Sequence, residues 1–146
     1  MGTERTAFIS HASEDAAVAD DLCTHLEQAG IPCWVAPRDV TPGRDYASEI
    51  IDGIEACPVF VLLLSSAANQ SAFVTRELER AASKGKRVFP VRIADVLPDR
   101  DMELFVSSAH WIDALQPPRT AQWERLARAI KGESSAPRVQ ASVVPG

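Results

Sequence analysis

Long apolar runs and concentrated positive charge are both missing from this sequence of 146 residues. The longest apolar stretch, residues 58–64, is far shorter than the roughly 20 residues of a transmembrane helix, so no membrane segment is expected. The 20 acidic residues outnumber the 15 basic ones, which disfavours tight, non-specific binding to nucleic acid. The first residues pass quickly into polar sequence, so we expect no secretory signal and a cytoplasmic protein.

Cysteine and histidine are also scarce. Cys23, Cys33 and Cys57 are odd in number and widely spaced, a pattern typical of reduced thiols in a cytosol. The chain has no CxxC and no HExxH motif and only three histidines. We therefore expect no metal site.

Three familiar sequence signatures of catalysis or nucleotide binding are absent. The sequence contains neither the GxGxxG dinucleotide fingerprint nor the phosphate-binding GxxxxGK[ST] loop. It also lacks the GxSxG turn that carries a nucleophilic serine. Ser65 follows the third predicted strand, where a phosphoacceptor of the response-regulator type requires an aspartate.

Apolar strands and amphipathic helices alternate along the chain. The strands are predicted at 7–9, 31–35, 59–64 and 87–93, with a weaker candidate at 110–112. This order predicts an α/β fold, a flavodoxin-like five-stranded parallel sheet of order 2-1-3-4-5 with helices on both faces. Its crevice would lie where strands 1 and 3 end, near Ser10, His11, Ser65 and Ser66.

Two parts of the chain differ in composition. The whole sequence is 46% hydrophobic and 24% charged, which is typical of a globular protein. We predict one folded domain over residues 1–131. Residues 132–146 are rich in Ser, Ala, Pro and Gln, which is typical of a flexible C-terminal linker or tail.

Glu77 occupies an unusual place on the helix predicted over residues 73–84. At about 100° per residue from Phe73, Glu77 falls at about 40° and Leu78 at about 140°, which puts the carboxylate on or beside the apolar stripe. An inward-facing carboxylate is costly unless it is paired or borders a cleft, and such groups are common in active sites. The alternative is a surface residue that pairs with Arg80 or Lys84, and the helical pattern leaves both interpretations open.

Several segments together resemble a Toll/interleukin-1 receptor (TIR) domain of the form common in bacteria. They are FISHASED at 8–15, GIPCW at 30–34, RDV at 38–40 with PG at 42–43, VLLLS at 61–65, the positions of Ser71, Phe73, Glu77 and Leu78, and KRVFPV at 86–91. The resemblance covers about residues 5–131. Pro90 lies inside the fourth predicted strand, where a proline lacks the N–H that a central strand needs. The resemblance accounts for it, since the fourth strand of this family often carries a proline.

The resemblance implies an enzyme that cleaves the nicotinamide–ribose bond of NAD+, with Glu77 as the catalytic carboxylate. Nicotinamide leaves as a neutral molecule while the ribose gains oxocarbenium character, which one fixed carboxylate can stabilise. The products would be ADP-ribose or a cyclic isomer. NAD+ is then the substrate, and no other cofactor is expected.

The resemblance and the predicted crevice also suggest further residues that contact the substrate. They are Phe8, Ser10, His11, Trp34, Arg38, Arg44, Ser65 and Phe73. Other roles stay open: core packing for the aromatic residues, helix capping for His11, solvation for the arginines and local backbone bonding for Ser65.

The family also suggests partners for this domain. Activity usually depends on self-association, in which loop 36–46 of one protomer completes the site of a neighbour, and a C-terminal sensor domain would supply the signal in defence or signalling. A different class of function is a non-catalytic TIR–TIR interaction module, an adaptor or scaffold. A third interpretation is an enzyme that resembles nucleoside deoxyribosyltransferases.

Overall fold

The computed structural model describes residues 5–106 and 111–132. Its core is one five-stranded sheet in which every pairing is parallel and the strand order is 2-1-3-4-5, as predicted. The strands are β1 (Ala7–Ser10), β2 (Cys33–Val35), β3 (Val59–Leu64), β4 (Arg87–Arg92) and β5 (Ile112–Asp113).

Helices cover both faces of the sheet, also as predicted. They are α1 (Ala16–Gln28), α2 (Tyr46–Ala56), α3 (Ser66–Asn69), α4 (Ala72–Ser83), α5 (Arg100–Val106) and α6 (Thr120–Lys131). Helices α1 and α6 share one hydrophobic core with the sheet, and α2 to α5 share the other.

The alternation of side chains along β1 decides which residues face which core. Ala7 and Ile9 pack under α1 and α6, whereas Phe8 faces α2 and α4. Ser10 lies two residues beyond Phe8, so its side chain points to the α4 side of the sheet. This parity brings the end of β1 to the helix that carries Glu77.

The start of α1 corrects one sequence expectation. The pattern predicts Ser13 as the N-cap, but Ser13–Asp15 forms a short 3₁₀ turn and α1 begins at Ala16. The Ser13 hydroxyl instead donates to Glu14 Oε1 at 3.3 Å. By contrast, Asp45 is an N-cap that the sequence analysis missed, because its carboxylate accepts from the Ser48 backbone N–H at 3.1 Å.

Pro90 lies inside β4 without breaking the sheet. It is in register with Leu62 of β3, and the pairing with β5 begins only at Val91. In the described residues, no strand flanks Pro90 on the β5 side. Proline is tolerated where no neighbouring strand needs its missing N–H.

Some predictions fall on residues outside the described ranges. His110, in the weak fifth-strand candidate, is one of them, and β5 is seen at Ile112–Asp113. The predicted tail at 132–146 is another, except for Gly132, which ends α6 with a φ of 78°. Within the described residues, no helix is long and apolar enough to cross a membrane.

Candidate active site

A cleft of about 330 Å³ opens at the C-terminal end of β1, between the segment after β2 and helix α4. Its lining combines apolar and polar side chains with one carboxylate. The lining residues are Phe8, Ile9, His11, Ala12, Ser13, Ala16, Ala36, Pro37, Tyr46, Ser71, Phe73 and Glu77. The position agrees with the switch point of the sheet, where parallel α/β folds bind ligands.

Glu77 is half-buried in this cleft. The Ser10 hydroxyl, itself buried, donates to Glu77 Oε1 at 2.6 Å. Within the described residues, Oε2 has no protein hydrogen-bond partner, which leaves it available to a ligand. Arg80 and Lys84, the surface partners considered for Glu77, instead contact Glu55 on α2.

The environment of Glu77 changes its acidity. Burial raises the pKa of this carboxyl from about 4.5 to about 7, although the Ser10 hydrogen bond and the nearby His11 oppose the rise. Burial favours the neutral form because few water molecules solvate the charge. A carboxyl group with a pKa near 7 changes its charge within the physiological range.

The floor of the cleft rests on a row of aromatic rings. Phe8 stacks on Trp34 with ring centroids 5.0 Å apart and on Phe60 with centroids 5.6 Å apart. These residues are in register on β2, β1 and β3. Trp34 is buried in this row and is absent from the described lining of the cleft, so it supports Phe8 from the neighbouring strand β2.

Two half-exposed aromatic rings stand at the mouth of the cleft. Phe73 lies one helical turn before Glu77, and its ring meets Tyr46 edge-on with centroids 5.9 Å apart. Phe73 is 50% exposed and Tyr46 is 47% exposed. Phe73 is therefore not the core residue that the apolar stripe alone would suggest.

His11 joins the end of β1 to the segment after β2. Its Nδ1 lies 2.8 Å from the Ala12 carbonyl oxygen and its Nε2 lies 3.1 Å from that of Ala36. Both partners are carbonyl acceptors, so a ring N–H can donate to either of them. The ring therefore holds Ala36 beside the cleft instead of capping α1.

Arg38 and Arg44 occupy positions away from the cleft lining. The Arg38 guanidinium turns back over β2, where it donates to Glu27 Oε2 at 2.9 Å and to the Cys33 carbonyl at 2.7 Å. Arg44 lies 3.4 Å from Glu49 on α2. In the described part of the chain, the cleft lining includes neither Lys nor Arg.

Ser65 also serves a local role in the described structure. Its hydroxyl donates to Asp15 Oδ2 at 2.5 Å and accepts from the Ala68 backbone N–H at 3.1 Å, which caps α3. It ties the end of β3 to the start of α1 and is not among the residues that line the cleft.

Tyr46 and Ser71 are among the lining residues that the sequence analysis did not name as site residues. Tyr46 is the only tyrosine in the chain, and in the sequence it falls on one helical stripe with Ile50 and Ile54, a pattern that does not mark it as a site residue. Ser71 caps α4 through the Val74 N–H at 3.2 Å. Helix periodicity cannot separate a ring at the mouth of a cleft from one in a core, because both lie on the inner face of the helix.

The fold and the site define a small α/β domain of the flavodoxin-like type. Its ligand-sized cleft holds one half-buried carboxylate, Glu77 of α4, beside the end of the first strand. The family model described as "TIR domain" matches residues 7–129. The chain therefore belongs to the TIR domain family. A comparison with curated protein sequences finds no match.

Solved TIR structures share the fold. The TIR domain of the Toll-related receptor TRR-2 from Hydra magnipapillata is 25% identical, with a TM-score of 0.72 over 86% of this chain and 97% of that one. A TIR-STING receptor from C. gigas is 21% identical, with a TM-score of 0.65 over 85% of this chain and 39% of that one. A chain of the RPS4 and RRS1 TIR domain heterodimer is 20% identical, with a TM-score of 0.64 over 91% of this chain and 100% of that one.

Proposed function

We propose that this domain hydrolyses the nicotinamide–ribose bond of NAD+, with cyclisation of ADP-ribose as a further outcome, and that it serves signalling or defence. The observation that carries the proposal is the position of Glu77. Its carboxylate faces a cleft at the switch point, and one oxygen is fixed by Ser10 at 2.6 Å while the other is available.

The chemistry of the bond fits a single fixed carboxylate. As the bond to nicotinamide breaks, positive charge develops on the ribose, and an ionised Glu77 stabilises that charge. The available Oε2 would accept a hydrogen bond from a ribose hydroxyl. The leaving group departs as neutral nicotinamide, so no second carboxyl group is needed to protonate it.

The aromatic residues suit the base that departs. Phe73 and Tyr46 present their rings at the mouth of the cleft, within reach of a planar ring beside Glu77. The pyridinium of NAD+ is cationic, and aromatic faces attract cations. Phe8 forms the inner wall against the sugar.

The small volume of the cleft favours a catalytic site that a second protomer completes. A volume of about 330 Å³ is at the lower end of the usual range for ligand sites, about 300–1,000 Å³. It fits nicotinamide and ribose better than a whole dinucleotide. We propose that loop 36–46 of a neighbouring protomer, which carries Arg38 and Arg44, contacts the pyrophosphate.

The decisive experiment measures nicotinamide release by chromatography from NAD+ at increasing protein concentration. We expect activity per protomer to rise with concentration in the native protein and to be lost in Glu77→Gln. Glu79→Gln is the matched control, since Glu79 lies on the exposed face of the same helix. Its activity should equal that of the native protein.

Two outcomes would contradict the proposal. Hydrolysis of NAD+ by Glu77→Gln at the native rate would mean that another group carries the chemistry. If native protein that is clustered on a dense surface releases no nicotinamide from NAD+, the domain does not cleave this bond. Chromatography also separates ADP-ribose from a cyclic product, and deoxynucleosides in the same assay test the transferase interpretation.

The alternative function is a non-catalytic TIR–TIR interaction module. One structurally similar TIR domain forms part of a heterodimer of two TIR domains, RPS4 and RRS1. Exposed leucines provide apolar surface for such a contact, since Leu97 is 77% exposed and Leu104 is 79% exposed. Self-association without nicotinamide release would favour this function.

A further inference from the structure

Side chains close the outer edge of the sheet at β2, which pairs with β1 and is the edge strand. The Cys33 N–H donates to Glu27 Oε2 at 3.4 Å, and the Cys33 carbonyl accepts from Arg38 Nη2 at 2.7 Å. The Val35 N–H donates to Asp39 Oδ2 and the Val35 carbonyl accepts from the Asp39 N–H, both at 3.0 Å. The chain that leaves β2 is therefore folded back onto the strand. We call Glu27, Arg38 and Asp39 the edge clamp.

Asp39 is at the centre of the edge clamp. Its side chain is only 10% exposed, and a carboxylate that is largely removed from water needs several donors. Besides the Val35 N–H, it accepts from Arg38 Nε at 3.0 Å, from Arg38 Nη2 at 2.8 Å and from Arg5 Nη2 at 3.2 Å. Asp39 therefore joins the loop after β2 to the strand itself and to the segment before β1.

The two arginines of loop 36–46 differ in how firmly they are held. In addition to its contacts in the loop and on β2, the Arg38 guanidinium donates to Glu27 Oε2 at 2.9 Å and to Cys23 Sγ at 3.2 Å. The Arg44 side chain is 62% exposed, and its ion pair in the described residues is with Glu49, at 3.4 Å. To reach a ligand outside its protomer, Arg38 must break all of these contacts, whereas Arg44 gives up a surface ion pair, which contributes little.

The edge clamp is next to the wall of the cleft. Ala36 and Pro37 line the cleft, and they lie between Val35 and Asp39, which bond to each other. On the inner side, the Ala36 carbonyl oxygen lies 3.1 Å from His11 Nε2. The wall is therefore fixed from the cleft by His11 and from the edge of the sheet by Asp39.

We propose that the two arginines have different roles, an inference that rests on the proposed function. Arg38 is a positioning residue that acts within its own protomer, where it fixes Asp39 and with it the wall at 36–37. Arg44 acts between protomers, where its guanidinium contacts the pyrophosphate of NAD+ in a neighbour's cleft. Arg38 supports activity without touching NAD+, because a displaced wall no longer confines the ribose beside Glu77.

Hydrogen exchange tests the edge clamp without any activity measurement. Mass spectrometry of the native full-length protein follows the backbone amides of residues 33–40. We expect them to exchange at least about tenfold faster in Arg38→Gln, because the bonds between Val35 and Asp39 open more often. They should exchange at the native rate in Arg44→Gln, and the amides of α4 should be unchanged in both variants. Native exchange of residues 33–40 in Arg38→Gln would overturn the clamp.

Mixtures of variants assign each arginine to its own cleft or to that of a neighbour. Arg38→Gln and Arg44→Gln should each release nicotinamide at least about tenfold more slowly than the native protein. Glu77→Gln lacks the carboxylate but keeps an intact loop, so its equimolar mixture with Arg44→Gln should regain activity. The mixture with Arg38→Gln should stay inactive, because every cleft that contains Glu77 then has a displaced wall.

Either opposite result in these mixtures would overturn the proposal. Recovery of activity with Arg38→Gln would show that a neighbour supplies Arg38. Lack of recovery with Arg44→Gln would show that Arg44 does not act between protomers. If the native protein releases no nicotinamide, the proposed function fails, and the hydrogen exchange still decides whether the edge clamp exists.

Glu27→Gln separates the two roles of Arg38 by the sign of the effect, and it also serves if Arg38→Gln does not fold. Glu27 lies on α1, across the sheet from α4, and is not among the residues that line the cleft. Loss of its charge frees Arg38, so nicotinamide release should fall if Arg38 is a clamp residue. Unchanged or faster release would mean that Arg38 works when it is free, against the proposal. Glu124→Gln, at an exposed position of α6, is the matched control, and circular dichroism checks the fold.

Discussion

Glu77 carries a carboxyl group that water reaches only in part, and this position has a consequence for stability. The folded protein binds the Glu77 proton more tightly than the unfolded chain does, because burial raises the pKa from about 4.5 to about 7. The free energy of unfolding therefore falls as pH rises between these two values and stays reduced above them.

We expect Glu77→Gln to stabilise the protein above pH 7 by up to about 3 kcal/mol and to have little effect below pH 4.5. Glutamine keeps the acceptor for Ser10 but carries no charge. Urea denaturation at pH 4 and pH 8 would measure the difference. Equal free energies of unfolding for the two proteins at pH 8 would show that burial of this carboxylate has no cost.

Ser10 acts on the same carboxyl group from β1. Its hydrogen bond to Glu77 Oε1 lowers the pKa of Glu77 against the larger effect of burial. Ser10→Ala should therefore raise that pKa further. If the ionised form is the active one, nicotinamide release in the variant should need a higher pH, with a deficit at pH 7 that shrinks towards pH 9.

The pH profile distinguishes this effect from a general loss of structure. Ser83→Ala is a suitable control. Ser83 is the last residue of α4, the helix that carries Glu77, and its hydroxyl donates to the Arg80 carbonyl away from the cleft. Its profile should match that of the native protein. A Ser10→Ala profile that is lower at every pH with the same midpoint would contradict the assigned role.

At the scale of elements, helix α2 approaches the aromatic row through a glycine. A Cβ atom added to Gly53 would lie 2.7 Å from Trp34 Cε2, well inside van der Waals contact. Trp34 cannot easily move, because it is buried and stacks on Phe8. The glycine is therefore required by packing, although helix propensity alone would favour alanine by up to about 1 kcal/mol.

We expect Gly53→Ala to lower the free energy of unfolding by about 1–2 kcal/mol, since overpacking a core outweighs the gain in helix propensity. Urea denaturation measures the change. Asp52→Ala, at an exposed position of the same helix, should alter stability by less than about 0.5 kcal/mol. A stabilised Gly53→Ala variant would show that the helix shifts freely away from Trp34.

The elements also differ in how far their sequences predict them. β3 has the bounds that its apolar run predicts, because a strand buried on both faces needs an apolar residue at every position. Helices α3 and α5 were missed. Helix α3 has only four residues, too few for a helical repeat of apolar residues to be visible. Helix α5 buries only Met102 and Val106, so its apolar pattern is also weak.

For the whole molecule, the strand order brings together residues that are far apart in sequence. Ser10 and Glu77 are 67 positions apart and meet at 2.6 Å, because β1 and β3 are neighbours and α4 packs back over them. The loop after β2 closes the other side of the cleft through the Ala36 carbonyl and His11. The chemistry of the cleft therefore depends on the topology of the sheet.

The periodicity of apolar residues determined the fold class, because burial in a parallel sheet imposes local patterns that a single sequence displays. The alternation of five strands with helices then predicted the strand order, and the helical spacing placed Glu77 on or beside an apolar stripe. The pattern left open whether Glu77 pairs at the surface or borders a cleft. Only the tertiary structure decided that Arg80 and Lys84 contact Glu55, that Arg38 faces Cys23, and that Tyr46 stands beside Phe73. These are contacts between side chains of different elements, and their geometry is set by packing distances that no local pattern records.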